Sequence, residues 1–145
     1  MVFISYSSID EEIAKNLYNS LAKLNIKTFM AKESLQPGDK WTPKILKNLE
    51  DSDWIFYLAS ENSVKSATVQ QELGAALIQE KVIIPLLINI DPEKLPDWIS
   101  QYQAISYKDE ADKLEQSIEN ISKRISKDKL ITIGVILSAL YLLSK

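Results

Sequence analysis

The sequence predicts an α/β fold, a three-layer sandwich with helices on both faces of a five-stranded parallel sheet, plus a C-terminal hydrophobic helix. Three observations predict it. Strand-like apolar runs alternate with amphipathic helical stretches through short connections, and buried strands joined by a helix are best satisfied as right-handed βαβ units. The run Trp54-Ile55-Phe56-Tyr57-Leu58-Ala59 is almost continuously apolar or aromatic, as in a strand covered on both faces. Each helical stretch carries one apolar stripe, which is what packing against one side of a sheet requires.

In chain order, Val2 to Tyr6 is the first strand, starting directly after Met1 with no basic region or longer apolar stretch of a cleavable leader. Ser7, Ser8 and Asp10 supply turn and helix-cap chemistry. From Glu11 to Leu24 the residues Ile13, Ala14, Leu17, Leu21 and Leu24 recur at helical spacing. Ile26 to Met30 reads as the second strand, Ala31 to Lys40 as a polar loop with Pro37-Gly38-Asp39 at its tip, and Trp41 to Asp51 as a helix with Ile45, Leu46 and Leu49 inward. After the Trp54–Ala59 strand, Ser60 to Ser66 reads as a polar loop and Ala67 to about Glu80 as a helix. Val82 to Ile88 is the most apolar strand candidate, although its Pro85 is awkward in a central position. Asn89 to Asp97 is a loop, Tyr102 to Tyr107 a weaker fifth strand, and Glu110 to Ile125 a helix with Leu114, Ile118, Ile121 and Ile125 on one face.

Composition narrows the chemistry. The 145 residues include 17 basic and 20 acidic side chains, for a net charge of −3, and neither cysteine nor histidine. One compact domain fits this length. Triads using histidine, cysteine nucleophiles, disulfides and zinc or haem sites built on imidazole or thiolate are all excluded, so no metal site is expected. The mild acidity argues against a nucleic-acid partner. Any catalysis rests on carboxylates, hydroxyls, aromatics and backbone dipoles.

In open parallel sheets ligands bind beyond the carboxyl ends of the strands. Here those ends carry Tyr6-Ser7-Ser8, the 31–40 loop and Ser60-Glu61-Asn62. No glycine-rich phosphate loop follows the first strand, so a dinucleotide fingerprint or P-loop is a weak reading.

Five segments stand in a recognisable order: Phe3-Ile4-Ser5-Tyr6-Ser7; Ser34-Leu35-Gln36-Pro37-Gly38-Asp39-Lys40-Trp41; Trp54 to Ser60; Ser66 to Ala76; and Val82 to Ile88 with its Ile84-Pro85 step. The order resembles the Toll/interleukin-1 receptor (TIR) domain family in its prokaryotic form: first box, BB loop, third strand, glutamate-bearing helix and fourth strand. The resemblance runs from residue 2 to about 126, giving a TIR domain over 1–126 and a hydrophobic tail over 127–145. It implies a flavodoxin-like sandwich and one of two roles. Many relatives cleave NAD+ between nicotinamide and ribose, releasing nicotinamide and ADP-ribose or a cyclic ADP-ribose signal, often in antiviral defence. Others are non-catalytic scaffolds that assemble through TIR–TIR contacts. The enzyme is the favoured reading, with NAD+ as substrate, no separate cofactor, and activation by self-association.

The resemblance places the catalytic carboxylate at Glu72, beside the Val69, Leu73, Ala76 and Leu77 stripe and near the helix start. The alternative is one more solvated glutamate. Ser5, Tyr6, Ser7 and Ser8 at the first strand's end, together with Trp41, Ser60 and Thr68, are expected at the substrate; Ser7 and Ser8 either donate to phosphate or ribose or only cap the next helix. Many catalytic relatives carry a tryptophan four residues before the glutamate, where this chain has Thr68. Trp41 either replaces that stacking surface or packs in the core. A second departure is Ala31-Lys32, where relatives often have an acidic residue. Pro37, Gly38, Asp39 and Lys40 are the expected assembly contact, and Lys40, Lys44 and Lys47 either attract an anionic dinucleotide or are simply solvated.

The tail holds an uncharged run, Leu130 to Leu143, between Lys127/Lys129 and Lys145. As a helix it spans about 21 Å, short of the roughly 30 Å bilayer core. It is apolar all round and flanked by lysines able to snorkel, which favours a membrane anchor on a cytoplasmic TIR domain. A helix buried in an oligomer interface is the rival.

Overall fold

The computed structural model describes residues 1–31 and 43–144, the side chains of 129–133 excepted. Met1–Ala111 forms one compact unit and Asp112–Lys145 a second. The first contains five parallel strands, β1 (Val2–Ser5), β2 (Thr28–Met30), β3 (Trp54–Ala59), β4 (Val82–Leu87) and β5 (Ile105–Ser106), in the order β2-β1-β3-β4-β5. Between them lie α1 (Glu11–Lys23), α2 (Pro43–Glu50), α3 (Glu61–Lys65) and α4 (Ala67–Ile78). This is the flavodoxin-like sandwich expected.

Every residue of β1 and β3 is buried, because both strands are central and covered on both faces. Their register pairs Phe3 with Ile55 and Ser5 with Tyr57. Phe3, Ile55, Tyr57 and Ala59 pack with Ile45 and Leu49 of α2 and with Val69, Leu73 and Ala76 of α4. By the alternation of a strand, Ser5 lies on the same face as Phe3. The outer strands β2 and β5 are only three and two residues long, which limits the unpaired backbone they present.

Pro85 fits its strand for a directional reason. Leu87 O accepts from Tyr107 N on the β5 side, while Ile88 N donates to Ala59 O on the β3 side. Bonding direction alternates, so Pro85, two residues before Leu87, turns its missing N–H toward β5. Pairing there begins only at Leu86.

Three expectations change. Residues 60–66, read as a polar loop, contain α3, which is too short to show periodicity. The second strand starts at Thr28 because Ile26 closes α1: its N donates to Leu21 O, and Asn25 takes a left-handed conformation (φ 57°). The fifth strand is confined to Ile105–Ser106, since Ile99 and Tyr102 pack against the core from a preceding turn.

The segments expected separately over 110–125 and 130–143 form one helix, α5 (Ala111–Leu143). Its last turns expose Val135, Ile136, Leu137, Leu140, Tyr141, Leu142 and Leu143. Among the described residues no helix is long and apolar enough to cross a membrane. The expected membrane anchor is therefore not supported, for a reason of length: Lys123, Arg124, Lys127, Asp128 and Lys129 occupy the turns just before the apolar run.

Candidate functional site

β1 leads through α1 to β2 on one side, and the chain then returns to place β3 on the other side of β1. The strand order thus reverses at the β1/β3 crevice, the position where sheets of this order bind ligands. Glu72 of α4 sits under that crevice. Its carboxylate accepts from Ser5 Oγ at 2.5 Å, at the carboxyl end of β1. Glu72 is 2% exposed and Ser5 fully buried. Helical pitch explains the placement: Glu72 follows Val69 by three and precedes Leu73 and Ala76 by one and four, so it shares the face α4 turns to the sheet. It lies within the buried face rather than at its margin. α4 is started by Ser66, whose side chain accepts from Val69 N at 3.3 Å.

Beside Ser5, Tyr6 is 2% exposed and its hydroxyl has no hydrogen-bond partner among the described residues. Burial, then the Glu11 and Glu72 carboxylates, push its phenol up to about 12. A phenol so placed keeps its proton at neutral pH and has one donor to offer.

A second buried polar group adjoins the first. Asp10, 7% exposed, accepts from Ser60 Oγ at 2.5 Å. Ser60 caps α3, accepting from Ser63 N at 3.1 Å, while its own N donates to Ser63 Oγ at 2.8 Å. Ser63 Oγ lies 3.5 Å from the Tyr57 hydroxyl. Gln70 of α4 donates to Ser63 O at 3.2 Å. Burial pushes the Tyr57 phenol up, partly offset by hydrogen bonds with Ser63 and Gln70, with the Asp10 charge adding to the rise.

Of the residues named from sequence, Ser5, Tyr6, Ser7, Ser60, Thr68 and Glu72 are buried, in β1, in α4 or in the segments following β1 and β3, and the fold bonds Ser5 to Glu72. Ser8 is exposed. The capping roles weighed for Ser7 and Asp10 are not seen, since neither side chain bonds to a cap N–H. Thr68 is buried at the start of α4. Lys47 pairs with Asp51 at 3.3 Å within one helix and its last turn. Trp41, Pro37, Gly38, Asp39 and Lys40 lie outside the described residues. The sequence reading missed Asp10, Tyr57, Ser63 and Gln70 as members of the site. A signal existed for Ser63 alone: a serine pair three apart, Ser60 and Ser63, directly after a buried strand is a cap pattern.

The TIR domain family matches the chain over residues 2–121. The protein described as a probable 2' cyclic ADP-D-ribose synthase, BdTIR, of Brachypodium distachyon is 27% identical over 96 residues. That match covers 65% of this chain and 43% of the relative, so the chain spans less than half of that protein's length. Among solved structures, the TIR domain of the Toll-related receptor TRR-2 from Hydra magnipapillata superposes with a TM-score of 0.65 at 22% identity, covering 81% of this chain and 97% of that one. A metazoan TIR-STING receptor from C. gigas gives 0.62 at 19% identity, covering 81% and 39%. The TIR domains of the activated Roq1 resistosome give 0.56 at 17% identity, covering 84% and 82%. These structural likenesses speak to the fold. Sequence order, sheet topology and the family match agree, and the chain belongs to the TIR domain family.

Proposed function

We propose that this chain cleaves NAD+ between nicotinamide and ribose, giving nicotinamide and ADP-ribose or a cyclised ADP-ribose, and that self-association of TIR domains promotes the reaction. The observation that carries the reading is the Glu72 carboxylate, 2% exposed at the β1/β3 crevice and held by Ser5 Oγ. The similarity to BdTIR, described as a probable 2' cyclic ADP-D-ribose synthase, supports the same class of reaction.

The chemistry asks little beyond one well-placed carboxylate. The bond between ribose C1' and the pyridinium nitrogen breaks with its electron pair going to nitrogen, so nicotinamide leaves neutral and needs no proton. Positive charge grows on the ribose, and a carboxylate beside it and bonded to ribose hydroxyls stabilises that charge. Water then adds its oxygen to C1' and releases one proton, giving ADP-ribose. In a cyclising reaction a hydroxyl of ADP-ribose takes the place of water. In this reading Tyr6 and Ser7 hold ribose or phosphate, Ser60 accepts from a ribose hydroxyl while its own proton stays with Asp10, Ser5 orients Glu72, and the 37–41 segment is the contact with a neighbouring domain.

A scaffold without turnover is the second reading, favoured by Thr68 one helical turn before Glu72, a side chain that cannot stack on nicotinamide as an aromatic does. Nicotinamide release from NAD+ separates the two, measured with the full chain dilute and concentrated. The enzyme reading expects release that falls at least about 100-fold in Glu72→Ala. No release in any concentrated sample leaves the scaffold.

A further inference from the structure

We infer that Asp10 is a positioning residue for Glu72, acting through Ser60 and Ser63 on the helix that carries the carboxylate. The inference rests on the reading of Glu72 as the reacting group.

Asp10 does not cap its helix. It stands at the N-cap position of α1, where a carboxylate ordinarily accepts from the helix's own N–H groups, and it makes no such bond. Its carboxylate turns inward to Ser60 Oγ, 50 positions along the chain. A carboxylate only 7% exposed is costly unless it is bonded, so this bond ties the segment after β1 to the segment after β3, the two sides of the crevice.

From Ser60 the tie continues in two directions. Ser60 and Ser63 bond reciprocally, which fixes α3 as one rigid turn. Ser63 O then holds the Gln70 amide, two residues before Glu72 on α4. Ser63 Oγ also approaches Tyr57, which itself bonds to Gln70. Tyr57 is the register partner of Ser5, and Ser5 holds Glu72. Asp10, Ser60, Ser63 and Gln70 thus form a chain of hydrogen bonds that ends on α4, and Tyr57, beside Ser63, is paired through the sheet with Ser5, which holds Glu72. Chains of hydrogen bonds of this kind fix geometry more tightly than their members do separately. Errors of about 1 Å in placing a reacting group cost on the order of 100-fold in rate, so a group controlling α4 controls catalysis without touching substrate.

The first test needs no substrate. In protein labelled with 13C at the glutamate carboxyls, the Glu72 resonance is assigned as the one lost in Glu72→Gln. It is expected to move in Asp10→Ala and in Ser60→Ala, to return toward its original position in Asp10→Asn, which keeps an acceptor for Ser60, and to stay in place in Ile83→Val, which loosens the same core elsewhere. A resonance unmoved in both alanine variants overturns the inference, whatever happens to NAD+. Ser60→Ala removes the same bond from the other side, so the test survives if Asp10→Ala does not fold. In the nicotinamide assay, kcat is expected to fall about tenfold in Asp10→Ala with KM held within about twofold, and Asp10→Asn to recover most of it. The double variant should be no worse than the worse single one, because both remove one bond. Losses that multiply would break the proposed route.

Discussion

In the proposed reading, Tyr6 sets stability against ligand binding in a single side chain. A buried hydroxyl without a partner costs about 1–3 kcal/mol relative to one that is paired, and Tyr6 has none among the described residues. Tyr6→Phe removes that cost at nearly unchanged shape. The variant is expected to be about 1 kcal/mol more stable to urea while losing NAD+ turnover, an opposition that a purely structural tyrosine does not produce. The alkaline limb of stability adds a second readout. The unfolded phenol releases its proton near pH 10, the folded one only near about 12, so the folded state binds more protons between those values. Stability is fully present below about pH 10 and falls as pH rises toward 12, with a limiting slope of about 1.4 kcal/mol per pH unit for one group. Tyr57 shifts in the same direction. Tyr6→Phe should therefore flatten, but not abolish, the fall measured by urea unfolding between pH 8 and 11. At this scale the helix position of Glu72 was half legible: spacing put it beside the apolar stripe, and only the family motif singled it out from a solvated glutamate. Asp10 was not: its partner lies 50 positions away, and no local pattern distinguishes a carboxylate that caps from one that turns inward.

The elements differ in how well their ends are made. α1 closes on Asn25 in the left-handed region, a residue type that visits it readily. α4 closes in the same way, with Lys81 N donating to Ala76 O at 3.0 Å and Glu80 N to Leu77 O at 3.1 Å. Its left-handed residue is Glu80, with φ 56°. A β-carbon there is strained by roughly 1 kcal/mol, which glycine avoids. Glu80→Gly is thus expected to raise stability by about 0.5–1 kcal/mol, read as a higher urea midpoint with an unchanged slope. A neutral or lower midpoint would mean that glycine's greater freedom in the unfolded chain outweighs the relieved strain. The sequence made helix bodies and central strands legible because burial imposes periods of 3.6 and continuous apolar runs, as in β3. It hid α3, whose five residues are held by the Ser60–Ser63 cap rather than by any apolar stripe. Edge strands were overestimated because two or three residues carry too little alternation to mark their limits.

At the scale of the whole molecule, α5 raises a question of what its last turns touch. Val135, Ile136, Leu137, Leu140, Tyr141, Leu142 and Leu143 are all exposed, and at 100° per residue they leave no polar face. Apolar patches beyond a few hundred Å² generally mark contact surfaces. A bilayer core needs a longer apolar helix than the described residues provide, whereas copies of one chain can cover each other's apolar turns at any length. This surface is accordingly expected to add to the self-association proposed for the TIR domain. Leu137 and Leu140 are three apart and lie on one side of the helix. Replacing both by glutamate places like charges on that side, and each substitution removes about 1.5–3 kcal/mol of burial from any contact that covers it. The double variant is expected to sediment as a smaller species at concentrations where the unaltered chain associates. The melting of residues 1–111 should not change, and nicotinamide release should rise less steeply with concentration. Unchanged sedimentation would assign association to the TIR domain alone. A smaller species with undiminished release would separate assembly from catalysis and remove the need for a neighbour at the Glu72 crevice.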